Sequence, residues 1–346
     1  MKKILLLFAA MLVAMAATAQ TPTATLLHDG DVKCFYGKEA LVNAVAEAEN
    51  GDNITLSSGL FSGTTIDKAI TVKGAGMNPD TINGIIPTTI NSDMTINTSD
   101  VTVEGIYITA RLTLNHFNNI KIIKSTITGW FICSAGEEHI SQYLLNCKSS
   151  GETYIDGGSY MDLFIENSYI RLLRNTFYDG TASHIEASNS VIGLALKNYG
   201  QNPSNVYSNT YIRNSSFTNC FLFPASGSVW DYIEPSNSVF YCVGLGNNIF
   251  SQAIGGSVEN TNATVENFSD VFKTFDGNFN DNETFELTSA AQTAYLGDDG
   301  TQVGIYGGSM PFDPKPNNPY ITKLNVAEKS TPQGTLSVDI QVQPAQ

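Results

Sequence analysis

Basic residues are scarce. The 346-residue chain has 18 lysines and arginines against 33 aspartates and glutamates, a net charge of −15. That excess argues against nucleic acid and anionic lipid as general partners. Charge of either sign is thin, at 15% of residues, and tryptophan and histidine are nearly missing, with two and four copies. His28, His116, His139 and His184 are scattered and read as satisfied turn or surface residues rather than metal ligands. The five cysteines are an odd number at spacings that fit no disulfide framework and no zinc pattern. Cys220 and Cys242 are either stacked core thiols or a bridge between neighbouring coils, and small apolar packing favours thiols. After Ala16 no apolar run approaches the roughly 20 residues that span a bilayer.

The one apolar run is at the start. Lys2-Lys3, the apolar stretch Ile4 to Ala16 and the small residues Ala17 and Ala19 read as a signal peptide over residues 1–19. The expected product is exported: secreted, periplasmic or on the cell surface, with no transmembrane segment.

What is abundant is Asn, Ser, Thr and Gly among short apolar alternations, the composition of a β-rich chain with many turns. Leu41, Val42, Val45, Ala46 and Ala48 form a helical stripe within residues 39–50, stopped by Asn50-Gly51. Before it stands a strand, Ala24 to Leu27, and a loop through Cys34 to Gly37; after it come strands around Ile54, Leu56, Ile66, Ile70 and Val72, broken by glycines. A lone helix ahead of short strands predicts a cap over the first layer of a stacked β-coil.

A loose repeat of about 22 residues follows. Lys124-Ser125 aligns with Asn146-Cys147, Asn167-Ser168, Asn189-Ser190, Asn214-Ser215 and Asn237-Ser238. Asparagine tolerates the left-handed backbone of a sharp corner. Asn146, Asn167, Asn189, Asn214 and Asn237 are therefore expected to stack as a ladder, amide above amide at about 4.8 Å. Continued to Met310, the period predicts about eleven coils and a rod about 50 Å long.

The string GDNITLSSGLF followed by IDKAITVKGAG resembles the opening of a right-handed, single-stranded parallel β-helix of the pectin-lyase-like type. The GIYGGS segment, the NNPYI linker and the final LSVDIQV strand resemble the tail of a group of exported β-helix proteins. The resemblance implies an all-β fold with an N-terminal cap helix, a solenoid over residues 20–310, and a linker with a C-terminal β-hairpin over 311–346. It implies no activity, because that solenoid carries lyases, hydrolases, esterases, adhesins and inert scaffolds.

The motifs of its enzymes are missing. No vicinal acids on a core strand accompany an Arg-x-x-Arg segment, and there is neither Gly-His-Gly nor Arg-x-Lys. Asp298-Asp299 sits in a Gly-flanked turn. Asp276 to Asn280 mimics the start of a calcium loop, but Asp281 stands where glycine is required and Leu287 where an acid is. No cofactor is expected, with Ca²⁺ the sole alternative.

Two polar periodicities remain. Glu138, Asp162 and Glu186 are expected to form an acidic line, and Lys124, Lys148, Arg171 and Lys197, with Arg174 nearby, a basic one. Together with the loop aromatics Trp230 and Tyr232 they form a candidate glycan-binding face, weighed against a merely solvated one. The expected function is a non-catalytic exported β-helix that binds polysaccharide or a cell-surface component. The alternative is a polysaccharide lyase or glycoside hydrolase acting on an acidic glycan through Lys148, Arg171, Arg174, Glu138, Asp162 and Glu186.

Overall fold

A computed structural model describes residues 21–78, 86–134, 136, 138–156, 161–175, 184–194, 215–224, 238–246, 261–280, 283–315, 320–326 and 338–343. Residues 1–20, expected to include a signal peptide, lie outside them with Lys197, Asn214, Trp230, Tyr232 and Asn237, as does the side chain of Arg174.

The chain folds as a parallel β-solenoid, nearly all β, with two short helices among the described residues. Strands of two to nine residues alternate inward apolar and outward polar side chains, so each coil buries one face of each strand. Coils then stack in register. In the first stack Ile54 lies on Val72, Val72 on Val103, Val103 on Ile122, and onward through Leu144, Ile165, Ala187, Phe217 and Val239. A second stack runs through Ile90, Ile108, Ile127, Ser149, Ile170, Ile192, Leu222 and Gly244. A third, through Ile66, Ile96, Leu114, Cys133 and Ile155, joins the second within the strand Lys148–Asp156. One continuous apolar core fills the space between them, each fully buried Ile, Val or Leu contributing about 1.5–3 kcal/mol.

The first layer is closed as expected. Helix α1 (Ala40–Glu47) buries Ala40, Leu41, Ala44 and Val45 in that core. The segment read as a loop at Cys34 is instead a strand, Asp31–Tyr36, which pairs antiparallel with Thr23–His28. Its side chains are mostly exposed, which is why no apolar alternation marks it.

The corner between the first and second stacks is the left-handed one. Gly105, Lys124, Asn146, Asn167, Asn189, Asn219 and Tyr241 all have positive φ. The repeat therefore holds through Asn189 and then changes phase: the column continues at Asn219 and Tyr241. At the corner between the second and third stacks the chain needs glycine for space. A Cβ on Gly129 would lie 2.0 Å from the Ala110 carbonyl oxygen, and one on Gly151 only 1.7 Å from that of Gly129.

The inward residue after each left-handed corner builds the ladder that runs along the axis. The amide of Cys147 donates to Ser168 Oγ at 2.9 Å and that of Ser168 to Ser190 Oγ at 3.1 Å. Ser125 and Cys220 donate likewise to Cys147 Sγ and Cys242 Sγ. Each such hydroxyl or thiol donates back to the carbonyl two residues earlier, as from Ser168 to Glu166 and from Cys220 to Thr218. The ladder satisfies amides that the corner would otherwise bury unpaired. All five cysteines are free thiols, four of them buried.

The solenoid does not run to Met310. Its last described strand is Ala263–Val265. The chain then turns back along the outside of the second stack. Phe272, Phe275, Phe285, Leu287, Val303, Ile305 and Phe312 pack on the outward side chains Tyr169, Val191, Phe221, Phe223 and Val243 to form a second core. Helix α2 (Ser289–Ala294), capped by the Thr288 hydroxyl on the Ala291 amide, contributes Ala291. Tyr320–Val326 and Val338–Gln343 form the expected antiparallel hairpin.

Candidate functional site

The return segment decides which surfaces remain for a ligand, and the outward corner asparagines hold it. Asn219 Nδ2 donates to Asp298 Oδ1 at 2.7 Å, and its Oδ1 accepts from the Asp298 amide at 3.0 Å. Two coils back, Asn167 Nδ2 donates to the carbonyls of Ile305 at 2.9 Å and Gly307 at 2.8 Å. Asn146 Oδ1 accepts from the Asp313 amide at 2.9 Å, and Lys124 Nζ reaches the Lys315 carbonyl at 3.2 Å. The segment thus advances as the coils recede. These amides do not pair with one another, as a simple amide ladder requires; they bind a strap laid across them. Glycines in GIYGGS allow the approach: Gly304 has φ +90 with the Phe221 ring 2.8 Å from where a Cβ would stand, and at Gly308 that distance to Asn189 Nδ2 is 2.6 Å.

Under the strap lies Lys148. It is 3% exposed, with Nζ 2.7 Å from the Glu283 carbonyl oxygen and over the rings of Phe285 and Phe312 at 5.9 and 5.6 Å. It is a structural cation, sealed from any surface groove. The basic line does not form. Lys124 occupies a corner, Lys148 is in register with Thr126 and Tyr169, and Arg171 sits on the neighbouring coil's second-stack strand with Nε donating to the Ser150 carbonyl. The backbone of Arg174 pairs with Tyr154.

The acidic line fails for the same reason, a register that the spacing of 24 does not match. Asp162 lies between Ser141 and His184, whereas Glu186 lies two positions along, between Phe164 and Ser216. Glu138 precedes its strand and is exposed, its carbonyl 2.7 Å from His116 Nε2. The acids belong to the outer face of the first stack, and Lys148 and Arg171 to the second.

That first-stack face carries columns of polar and aromatic side chains. Lys121, Tyr143, Phe164 and Glu186 follow one another in register. The Tyr143 and Phe164 rings stack at 5.1 Å and 13°, and Lys121 Nζ lies 5.7 Å from the Tyr143 centroid. Both rings are partly exposed. In the adjoining column Asp162 Oδ2 is 3.2 Å from His139 Nε2. Tyr143, Phe164 and Lys121 were not singled out in the sequence. Their signal was available, since outward aromatics one coil apart on alternating strands must stack.

Among the described residues no group of three or more His, Cys, Asp or Glu is placed to hold a metal. The Asp276 turn is closed by its own chain, the Asn278 amide donating to Asp276 Oδ1 at 2.9 Å. No helix of the described residues is long and apolar enough to cross a membrane. Compared with protein-family models, curated proteins and solved structures, the chain matches none.

Proposed function

We propose that this is an exported, non-catalytic solenoid of the pectin-lyase-like type that binds polysaccharide along the outer face of the first stack. The observation that carries the reading is the partly exposed Tyr143–Phe164 stack between Lys121 and Glu186. Rings offer apolar surface to the C–H groups of sugars, and the flanking charged and polar groups offer hydrogen bonds to hydroxyls. Columns one coil apart suit an extended chain better than a compact ligand. The separation of Asp162 and Glu186 from Lys148 and Arg171 onto different stacks takes apart the acid–base set on which the lyase or hydrolase alternative rested.

Affinity electrophoresis in gels carrying single polysaccharides, acidic and neutral, tests it. Retardation of the wild type is expected in at least one gel. It should be lost in the double variant Tyr143→Ala, Phe164→Ala and weakened in Lys121→Ala. Unretarded wild type in every gel would defeat the reading.

A further inference from the structure

The return segment, besides covering the second stack, forms with it a half-open cleft. It has a volume of about 260 Å³ and is lined by Arg171, Phe223, Pro224, Phe268 and the turn Asp276 to Phe279. Its walls are built. Phe279 is held by one face against Tyr169, with ring centroids 5.3 Å apart and planes within 14°. Gly277, at φ +98, presses the turn onto Phe268, whose ring lies 3.3 Å from where a Cβ would stand. Asp276 is fixed by accepting the Asn278 amide, and Arg171 by its Nε bond to the Ser150 carbonyl.

We infer that this cleft is a discrete binding site for one neutral pyranose unit, the end or a side branch of a hexose chain. The volume lies below the roughly 300–1,000 Å³ of pockets for larger organic ligands, so the guest is a single ring. The accessible lining is mostly polar, with Phe268 and Phe279 among its apolar part, and a pyranose presents the same mixture of hydroxyls and a C–H face. A sugar hydroxyl is both donor and acceptor, so one guest satisfies the Asp276 carboxylate and the Arg171 guanidinium together. An acidic sugar would set its own carboxylate against Asp276 in a chain of net charge −15. The site rests on the proposed glycan-binding reading for the choice of ligand class and on its own geometry for its place.

The test is saturation-transfer NMR and calorimetry with neutral hexaoses of β-1,4-glucan, β-1,4-mannan and α-1,4-glucan, and with oligogalacturonate as the acidic arm. Binding of a neutral hexaose is expected, with saturation concentrated on one sugar unit. Arg171→Ala and Asp276→Asn should each raise Kd about tenfold, the loss of one charge-assisted hydrogen bond. Asp276→Asn keeps the oxygen that closes the turn, so it reports on the site without unfolding it. Unchanged Kd in both variants, or preference for oligogalacturonate, overturns the inference. If only the Tyr143→Ala, Phe164→Ala variant loses binding, the first-stack face stands and this site falls. If only the cleft variants lose it, the reverse holds. No binding to any of these chains overturns the site.

Discussion

Lys148 Nζ and the Glu283 carbonyl oxygen, 135 residues apart in the chain, meet at 2.7 Å in the interior between the solenoid and its return segment. The ammonium is also covered by the faces of Phe285 and Phe312. Truncation removes a hydrogen bond and two ring contacts, and leaves a void. Lys148→Ala is expected to destabilise by about 2–4 kcal/mol. The loss should be local: proteolysis within 266–315 should accelerate while amides of the first stack keep their exchange protection. Lys148→Met, which keeps the volume but not the bond, should cost less.

Asn167 serves the fold twice, through a left-handed backbone at φ 46 and through two bonds to the strap carbonyls. Alanine loses both bonds and strains the corner, an expected cost of about 2–4 kcal/mol. Glycine loses only the bonds. Denaturant titration should therefore rank wild type above Asn167→Gly and Asn167→Gly above Asn167→Ala. Equal stability of the two variants would mean that the corner imposes no conformational demand.

The thiols should divide by place. Cys34 is exposed, whereas Cys133, Cys147, Cys220 and Cys242 are buried. Burial pushes the Cys147 thiol up to about 12, so the reactive thiolate is absent at neutral pH. Mass spectrometry after alkylation of the native protein should find one modified site, Cys34, and five after denaturation. Because Ser168 and Ser190 do in their coils what Cys147 does in its own, Cys147→Ser should change stability by less than about 1 kcal/mol. Cys147→Val leaves the Ser125 amide without an acceptor and should cost about 1–3 kcal/mol.

At the N-terminal end His28 Nδ1 lies 2.8 Å from Asp52 Oδ1, and Asp52 Oδ2 accepts the Glu49 amide at 2.7 Å. The bond to Asp52 and its charge raise the His28 pKa above 6.5 against the opposing effect of burial, with help from Asp29 and Glu49. For Asp52, burial pushes upward, but the Glu49 amide and His28 prevail and hold it below 3.8. The His28 contribution is complete below 6.5 and is lost as pH rises through the raised value. The Asp52 contribution is present above 3.8 and is lost as pH falls through the lowered one. Wild type should therefore exceed Asp52→Asn in stability most clearly near pH 5 and less at about pH 9. The His28 ring resonances should titrate above 6.5 in wild type and shift downward in the variant.

The stacked coil, the cap helix over its first layer and the asparagine corners are written in local terms. Alternation sets which side chains point inward, and only asparagine, aspartate or glycine accept φ near +50 cheaply, so Asn146, Asn167 and Asn189 mark their corners in the sequence. Phase is not local in this way. The interval from Asn189 to Asn219 is longer than the three before it, and an extension between coils shifts every later residue. That is why Asn219 and Tyr241 hold corners that a steady period assigns elsewhere. The acidic and basic lines failed for a different reason: their spacing of about 24 exceeds the 21- and 22-residue steps between the corners Lys124, Asn146, Asn167 and Asn189, and a shift of two residues along a strand moves a side chain to the next column of the same face. Which outer surface the irregular tail would cover was decided only by the tertiary structure. A strap stabilised by Phe272, Phe285 and Phe312 on outward Tyr169 and Phe221 depends on contacts between residues far apart in the chain. Those contacts turned Lys148 from a candidate ligand group into a buried clamp, left the Tyr143–Phe164 face uncovered by the strap, and formed a half-open cleft beside Arg171.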